Sequence, residues 1–313
     1  MATMSEVTHE RQTATHEFPR GRNFGQSGLE AESSAVEKAR QERRQALIVP
    51  REHGAWGLLL VPMVTGAGVA FHESSNVFPF VVLLAAALIL FWLRTPLESL
   101  LGTSAIRAQT AEERRDVTFV VFHLSVIAAL AVAMLLWAGG NPALWMIGIP
   151  AAIAFTAQAL LKKLGRSARM AAEMVGTIGL TAAAPAAYYV ITGKLGLTAW
   201  TLWVANLIFA GDQIHYVQLR IHTARVEGLR AKLAHGWGFP VGQFLLTAAL
   251  TLACMSGLIP KFSSLAFAPI LFRGWFYFVQ KPAPLVVRRL GWNELAQAIA
   301  FCVVLVATFS LSR

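Results

Sequence analysis

From its start the chain is polar for about 45 residues, with Glu and Arg interspersed, and then alternates between long apolar runs and short charged breaks. The runs fall at about 55–71, 77–94, 117–137, 142–161, 170–191, 198–219, 237–259, 264–280 and 293–311. Most approach the roughly 20 residues that a helix needs to cross about 30 Å of hydrocarbon at 1.5 Å per residue. The pattern predicts an all-α fold, a polytopic membrane helix bundle of nine transmembrane helices in one domain, residues 46–313. Residues 1–45 are expected to be a largely disordered tail, with no apolar core of the kind a signal peptide has. Inside it, Leu29 to Ala46 is rich in helix formers and reads as a surface helix leading into the first span.

Composition agrees with that class: 56% of residues are hydrophobic and only 14% charged, which excludes an ordinary soluble domain. The net charge of +10 would suit a nucleic-acid binder, but the cations sit in short connections between runs, so nucleic acid is not an expected partner. Their distribution is one-sided. Arg94, Arg107, Arg114 and Arg115 follow the second run, Lys162, Lys163, Arg166 and Arg169 the fourth. Arg220, Arg225, Arg230 and Lys232 follow the sixth, and Lys281, Arg288 and Arg289 the eighth. The intervening connections and the C-terminus hold only Lys194, Lys261 and Arg313. By the positive-inside rule the tail and the even-numbered loops face the cytoplasm. The expected location is the bacterial inner membrane with the N-terminus cytoplasmic. Cys254 and Cys302 each lie in an apolar run, where a thiol acts as a small hydrophobe.

Ionisable groups inside a span cost at least ~2.5–3.5 kcal/mol at the bilayer centre and so need partners or water. The sixth run is densest: Asp212, His215, Tyr216 and Arg220 share one helical face. That stripe reads either as a polar pocket, with Arg220 for an anionic head group and Asp212 for a cation or proton, or as Asp212 pairing with Arg220 or Arg94. At the end of the second run Arg94 and Glu98 stand one turn apart, with Pro96 expected to break the helix; an interfacial ion pair is the plain alternative. Before the first run, Arg51, Glu52 and His53 are a topology charge and its neighbours, or the rim of the same pocket. Arg273, deep in the eighth run, needs a carboxylate or a phosphate, and Asp212 is a candidate. Glu173, and Glu294 with Gln297, lie where water reaches run ends; His123 and Gln158 read as helix-packing polars. No P-loop, zinc-binding HExxH or GxSxG elbow occurs, nor an axial histidine pair for haem.

PREHGAWGLLLVP at the first run, FWLRTP at the end of the second and GDQIHYVQLRI at the end of the sixth together resemble the YwiC-like family of bacterial membrane proteins. The nine-run layout, with polar motifs at the ends of runs two and six, also resembles the UbiA superfamily of intramembrane prenyltransferases. That second resemblance implies carboxylates at both places holding magnesium against an isoprenoid diphosphate. Here those places offer Arg94 with Glu98, and Asp212, Tyr216 and Arg220, so most of the carboxylates are missing and the metal and cofactor stay unassigned.

The first reading is therefore a UbiA-like bundle whose cytoplasm-facing pocket binds, and in catalysis transforms, an isoprenoid or other anionic membrane lipid. Arg94 and Arg220 would take the anion, helped by Arg51, His53, His215 and Arg273. Asp212 and Glu98 would serve a metal or leaving-group proton, and Tyr216 or His53 would orient the acceptor. The competing reading is a transporter or accessory protein with an intramembrane ion-pair relay. A third is an assembly factor whose buried charges fix helix register.

Overall fold

The computed structural model describes residues 24–50, 53–104, 106–139, 143–260, 262–280 and 285–311, and among them there is no strand. Twelve α-helices follow in order: α1 Phe24–Ile48, α2 His53–Ala70, α3 Phe78–Leu101, α4 Ala111–Gly139, α5 Ala143–Lys163 and α6 Arg169–Thr181. Then come α7 Ala183–Thr192, α8 Leu197–His222, α9 Leu229–Gly236, α10 Gly238–Met255, α11 Ala268–Val279 and α12 Val287–Leu311. Residues Met1–Gln45 form one unit and Ala46–Arg313 another. Each apolar run falls on helix. Six segments are long and apolar enough to cross a membrane: α3, α4, α5, α6 with α7, α10 and α12. The apolar parts of α2 and of the α11 region, Trp56–Ala70 and Ser263–Val279, are shorter.

Local chemistry explains the helix ends. The expected break at Pro96 does not occur: α3 runs through it to Leu101 and stops at Gly102, whose φ of 70° suits glycine. Pro96 deletes one backbone donor, and it is buried within the continuous helix. At the start of α4, Thr110 Oγ1 accepts from the Glu113 amide at 3.1 Å, while the Glu113 carboxylate accepts from the amides of Gln109 and Thr110. This reciprocal capping closes the long connection from α3.

The α6–α7 segment is the axis of the second unit, with 83% of its most apolar window buried. Its helix is interrupted at Ala182, because Pro185 cannot donate to the Thr181 carbonyl. The indole of Trp203 on α8 donates there instead, to Thr181 Oγ1 at 3.2 Å and the Ile178 carbonyl at 3.4 Å. α2 lies directly on α7: a Cβ at Gly66 would meet the Ala184 carbonyl oxygen at 2.1 Å. α12 packs on the other side of α2, against Gly68 through Val306. α5 packs on α6, where Gln158 lies on Gly176, as a helix-packing polar should. His123 does not pack between helices; it is exposed on α4 and its Nδ1 pairs with the carbonyl of Phe119, 2.8 Å away in the same helix. α4 runs along α3 and is mostly uncovered elsewhere.

Candidate functional site

The polar side chains singled out by sequence separate into two groups. The first joins α3 to α5. Arg94 Nε donates to Glu98 Oε1 at 2.8 Å, and Lys162 Nζ reaches both oxygens of the same carboxylate at 2.8 and 2.9 Å. All three side chains are largely buried. Bringing Lys162 to Glu98 lets two cations share one carboxylate at the end of α3. Lys162 read as a loop charge in the sequence, and nothing short of the fold pairs it with a residue 64 positions away.

One turn further into the bundle along α3 and two along α5, Leu90, Phe91 and Phe155 border an apolar cavity of about 230 Å³. Its floor is made of small residues, among them Gly148, Ala151, Gly179 and Ala183, which leave room where larger side chains would fill. Val132 and Leu135 of α4 form one wall.

The second group joins α8, α10, α11 and α12. Arg273 is held between two carboxylates: it donates through Nη2 to Asp212 Oδ2 at 3.2 Å and through Nη1 to Glu294. Gln243 donates its amide to the other Asp212 oxygen. Only 11%, 6% and 14% of the Arg273, Asp212 and Glu294 side chains are exposed, so this is an interior ion triad. Of the partners proposed for Asp212, Arg273 is the one that pairs with it, not Arg220 or Arg94. Glu294, expected to be bathed by water, is drawn into the triad instead. Among the described residues, Arg273 Nε, Glu294 Oε2, Gln243 Oε1 and Gln297 Oε1 have no hydrogen-bond partner.

The guanidinium of Arg273 stacks over the Tyr216 ring at 3.9 Å, and Tyr216 meets Tyr277 edge-on at 5.9 Å. One turn on, Arg220 lies beside the Tyr216 hydroxyl and 5.0 Å from the Tyr277 ring centroid. Lys232 of α9 lies 4.8 Å from the same centroid and donates to the carbonyl of Gln280 at 2.7 Å. Expected as a solvated loop charge, Lys232 is 2% exposed, because α9 folds its cation under the end of α11. His215 packs edge-on against Phe239 at 5.1 Å. Arg51 and Glu52 lie outside the described residues, and of His53 only its place at the start of α2 is described.

The magnesium arrangement is not assembled. Glu98 is taken by two cations and Asp212 by Arg273 and Gln243, and among the described residues no three His, Cys, Asp or Glu side chains gather to hold a metal.

Residues 49–188 match the family model described as YwiC-like protein. Over this stretch, a little under half of the chain, the sequence is similar to that family. The YwiC-like stretch contains α2 to α6 and part of α7, and with them the Arg94–Glu98–Lys162 group and the cavity; the Asp212 triad lies beyond it. No curated protein and no solved structure matches the chain.

Proposed function

We propose that this is a nine-span protein of the bacterial inner membrane, N-terminus cytoplasmic, that binds an amphipathic anion such as an isoprenoid phosphate at its cytoplasmic end. The observation that carries the reading is the succession along α3 and α5 of cavity and cations. Arg94 lies about 5 Å along the axis from Phe91, and Lys162 about 10 Å from Phe155, at 1.5 Å per residue. A hydrocarbon chain lying among Leu83, Ala87, Gly148 and Phe155 would present its head group to those two cations. An apolar enclosure with a few convergent polar groups at one end favours an amphipathic ligand over a wholly polar one. Binding is the step the residues support; departure of a diphosphate would need carboxylates that are free of Arg and Lys.

Native mass spectrometry of the purified protein tests this. Wild type should carry a lipid phosphate, and Arg94→Gln with Lys162→Met should lose it. Gly148→Phe should lose it too, by filling the cavity from a position whose Cβ direction is open. Arg230→Ala, an exposed cation on α9, should keep it. Unchanged lipid in the first two variants would sink the reading.

One observation favours a second reading, an ion-pair relay. Two carboxylates share Arg273 inside the bundle while four polar atoms around them are unpartnered. Flux in proteoliposomes that follows a pH gradient and is abolished by Asp212→Asn would support it, and flux indifferent to that change would reject it.

A further inference from the structure

Lys232 and Arg220 present a charge imbalance that the α3–α5 site does not absorb. A buried ammonium is costly unless an opposite charge meets it. Lys232 is 2% exposed, yet its two hydrogen bonds go to backbone carbonyls, Gln280 at 2.7 Å and Tyr277 at 3.4 Å, at the C-terminal end of α11. A helix C-terminus supplies roughly half a negative charge. Arg220 adds a second cation near the same ring. Burial first, and then the neighbouring Arg220, holds the Lys232 ammonium below its ordinary pKa. No ion pair within 4 Å engages either cation among the described residues; the nearby carboxylates, Asp212 and Glu294, are bound to Arg273.

We propose that Arg220 and Lys232 form a binding site for a phosphoryl group, distinct from the Arg94–Lys162 group. The Arg273 triad beside them carries one net negative charge and its Glu294 acts on Arg220, so the two cations and the α11 terminus leave roughly half a positive charge, and a phosphoryl group would be held through donors more than through a large charge excess. Lysine has three N–H donors and arginine five, so after the contacts described both retain donors for phosphate oxygens. The Tyr277 ring, itself buried, backs both cations and keeps the local dielectric low, which strengthens their hold on an anion. The hydroxyls of Tyr277 and Thr223 pair with one another and fix the ring in place. Because α9 and the end of α8 lie at the basic end of the chain's pattern, the phosphate can belong either to a soluble ester or to a lipid head group.

The test uses the full-length protein in detergent and in nanodiscs. Inorganic phosphate and pyrophosphate are titrated into the detergent-solubilised protein by calorimetry, and nanodiscs with and without phosphatidic acid are compared by thermal unfolding. A soluble ester is the source if inorganic phosphate binds saturably. A lipid head group is the source if only phosphatidic acid raises the unfolding temperature. In either case Arg220→Gln should weaken the effect at least tenfold, Lys232→Met should remove it, and Arg230→Gln should leave it intact. Arg220→Gln leaves the Lys232–carbonyl bonds in place, so its loss of binding is separable from misfolding. The proposal is overturned if neither phosphate source has an effect, or if the Arg220 variant binds as wild type does. Variants of Arg94 and Lys162 are included, since a response lost in them alone would move the phosphate to the other site and refute this one.

Discussion

Adding one methyl group at Gly66 should unseat α2 from α7. The new Cβ would stand 2.1 Å from the Ala184 carbonyl oxygen and 2.9 Å from its carbon, and both atoms belong to backbone that cannot swing aside. Restoring an ordinary contact of about 3.4 Å means moving one helix more than 1 Å away from the other, since carbon and oxygen gain little dispersion at longer range and repel strongly at shorter. Met63, Ala67 and Ala70 on α2, and Ala183 and Ala187 on α7, would lose close packing together. Overpacking of this kind costs about 1–3 kcal/mol. The control is Gly57→Ala on the same helix, where nothing lies within 4 Å of the added Cβ. That change removes a glycine from a helix and should stabilise by up to about 1 kcal/mol. The two variants should therefore differ by roughly 1–4 kcal/mol, a factor of about 5 or more in the unfolding equilibrium. Thermal unfolding followed by fluorescence-detected size exclusion gives the order directly. If Gly66→Ala melts with Gly57→Ala, the α2–α7 crossing is not this close and the central axis has been misplaced.

Arg273→Met should cost about 3–5 kcal/mol, because Asp212 and Glu294 are left as unpaired buried carboxylates; adding Asp212→Asn should recover part of that loss in chemical denaturation, and no recovery would mean the triad is not coupled. Glu98→Gln removes the carboxylate that competes for Arg94 and Lys162, so a co-purifying lipid phosphate should rise in native mass spectra, not fall. Lys232 is expected to make stability rise with pH: its folded pKa lies below the ordinary value, so the unfolded chain binds the proton more firmly between the two. That rise, read from unfolding temperatures up to the usual lysine range, should be flattened in Lys232→Met. Gly176→Ala drives a Cβ to 2.2 Å from the Gln158 amide, a side-chain end that can move, so shortening Gln158 to Ser in the same chain should rescue it.

Helix positions were legible because apolar runs and their breaks follow directly from the bilayer's thickness. So was the α8 stripe, since offsets of four along one helix place Asp212, Tyr216 and Arg220 on one face whatever surrounds them. What the pattern could not supply was the far partner. Arg273 lies 61 residues from Asp212, and Lys162 lies 64 from Glu98; a charge in one run names the sign of its neighbour but not the helix that brings it. Lys232 misled for a related reason: its short helix is too polar to mark itself as buried, and burial comes from α11 closing over it. The cavity had no signature at all, because it is a shortage of volume shared by glycines and alanines on several helices.

The α4 wall of the cavity sets the route into it. Only 11% of that helix's most apolar window is covered, and it runs along α3, so Phe119, Phe122, Leu130 and Trp137 all face outward. A guest leaving the acyl-chain layer would reach the cavity past the single helix α4, which packs along α3, without crossing the water phase. Its entry rate would then depend on bilayer fluidity and thickness more than on aqueous concentration.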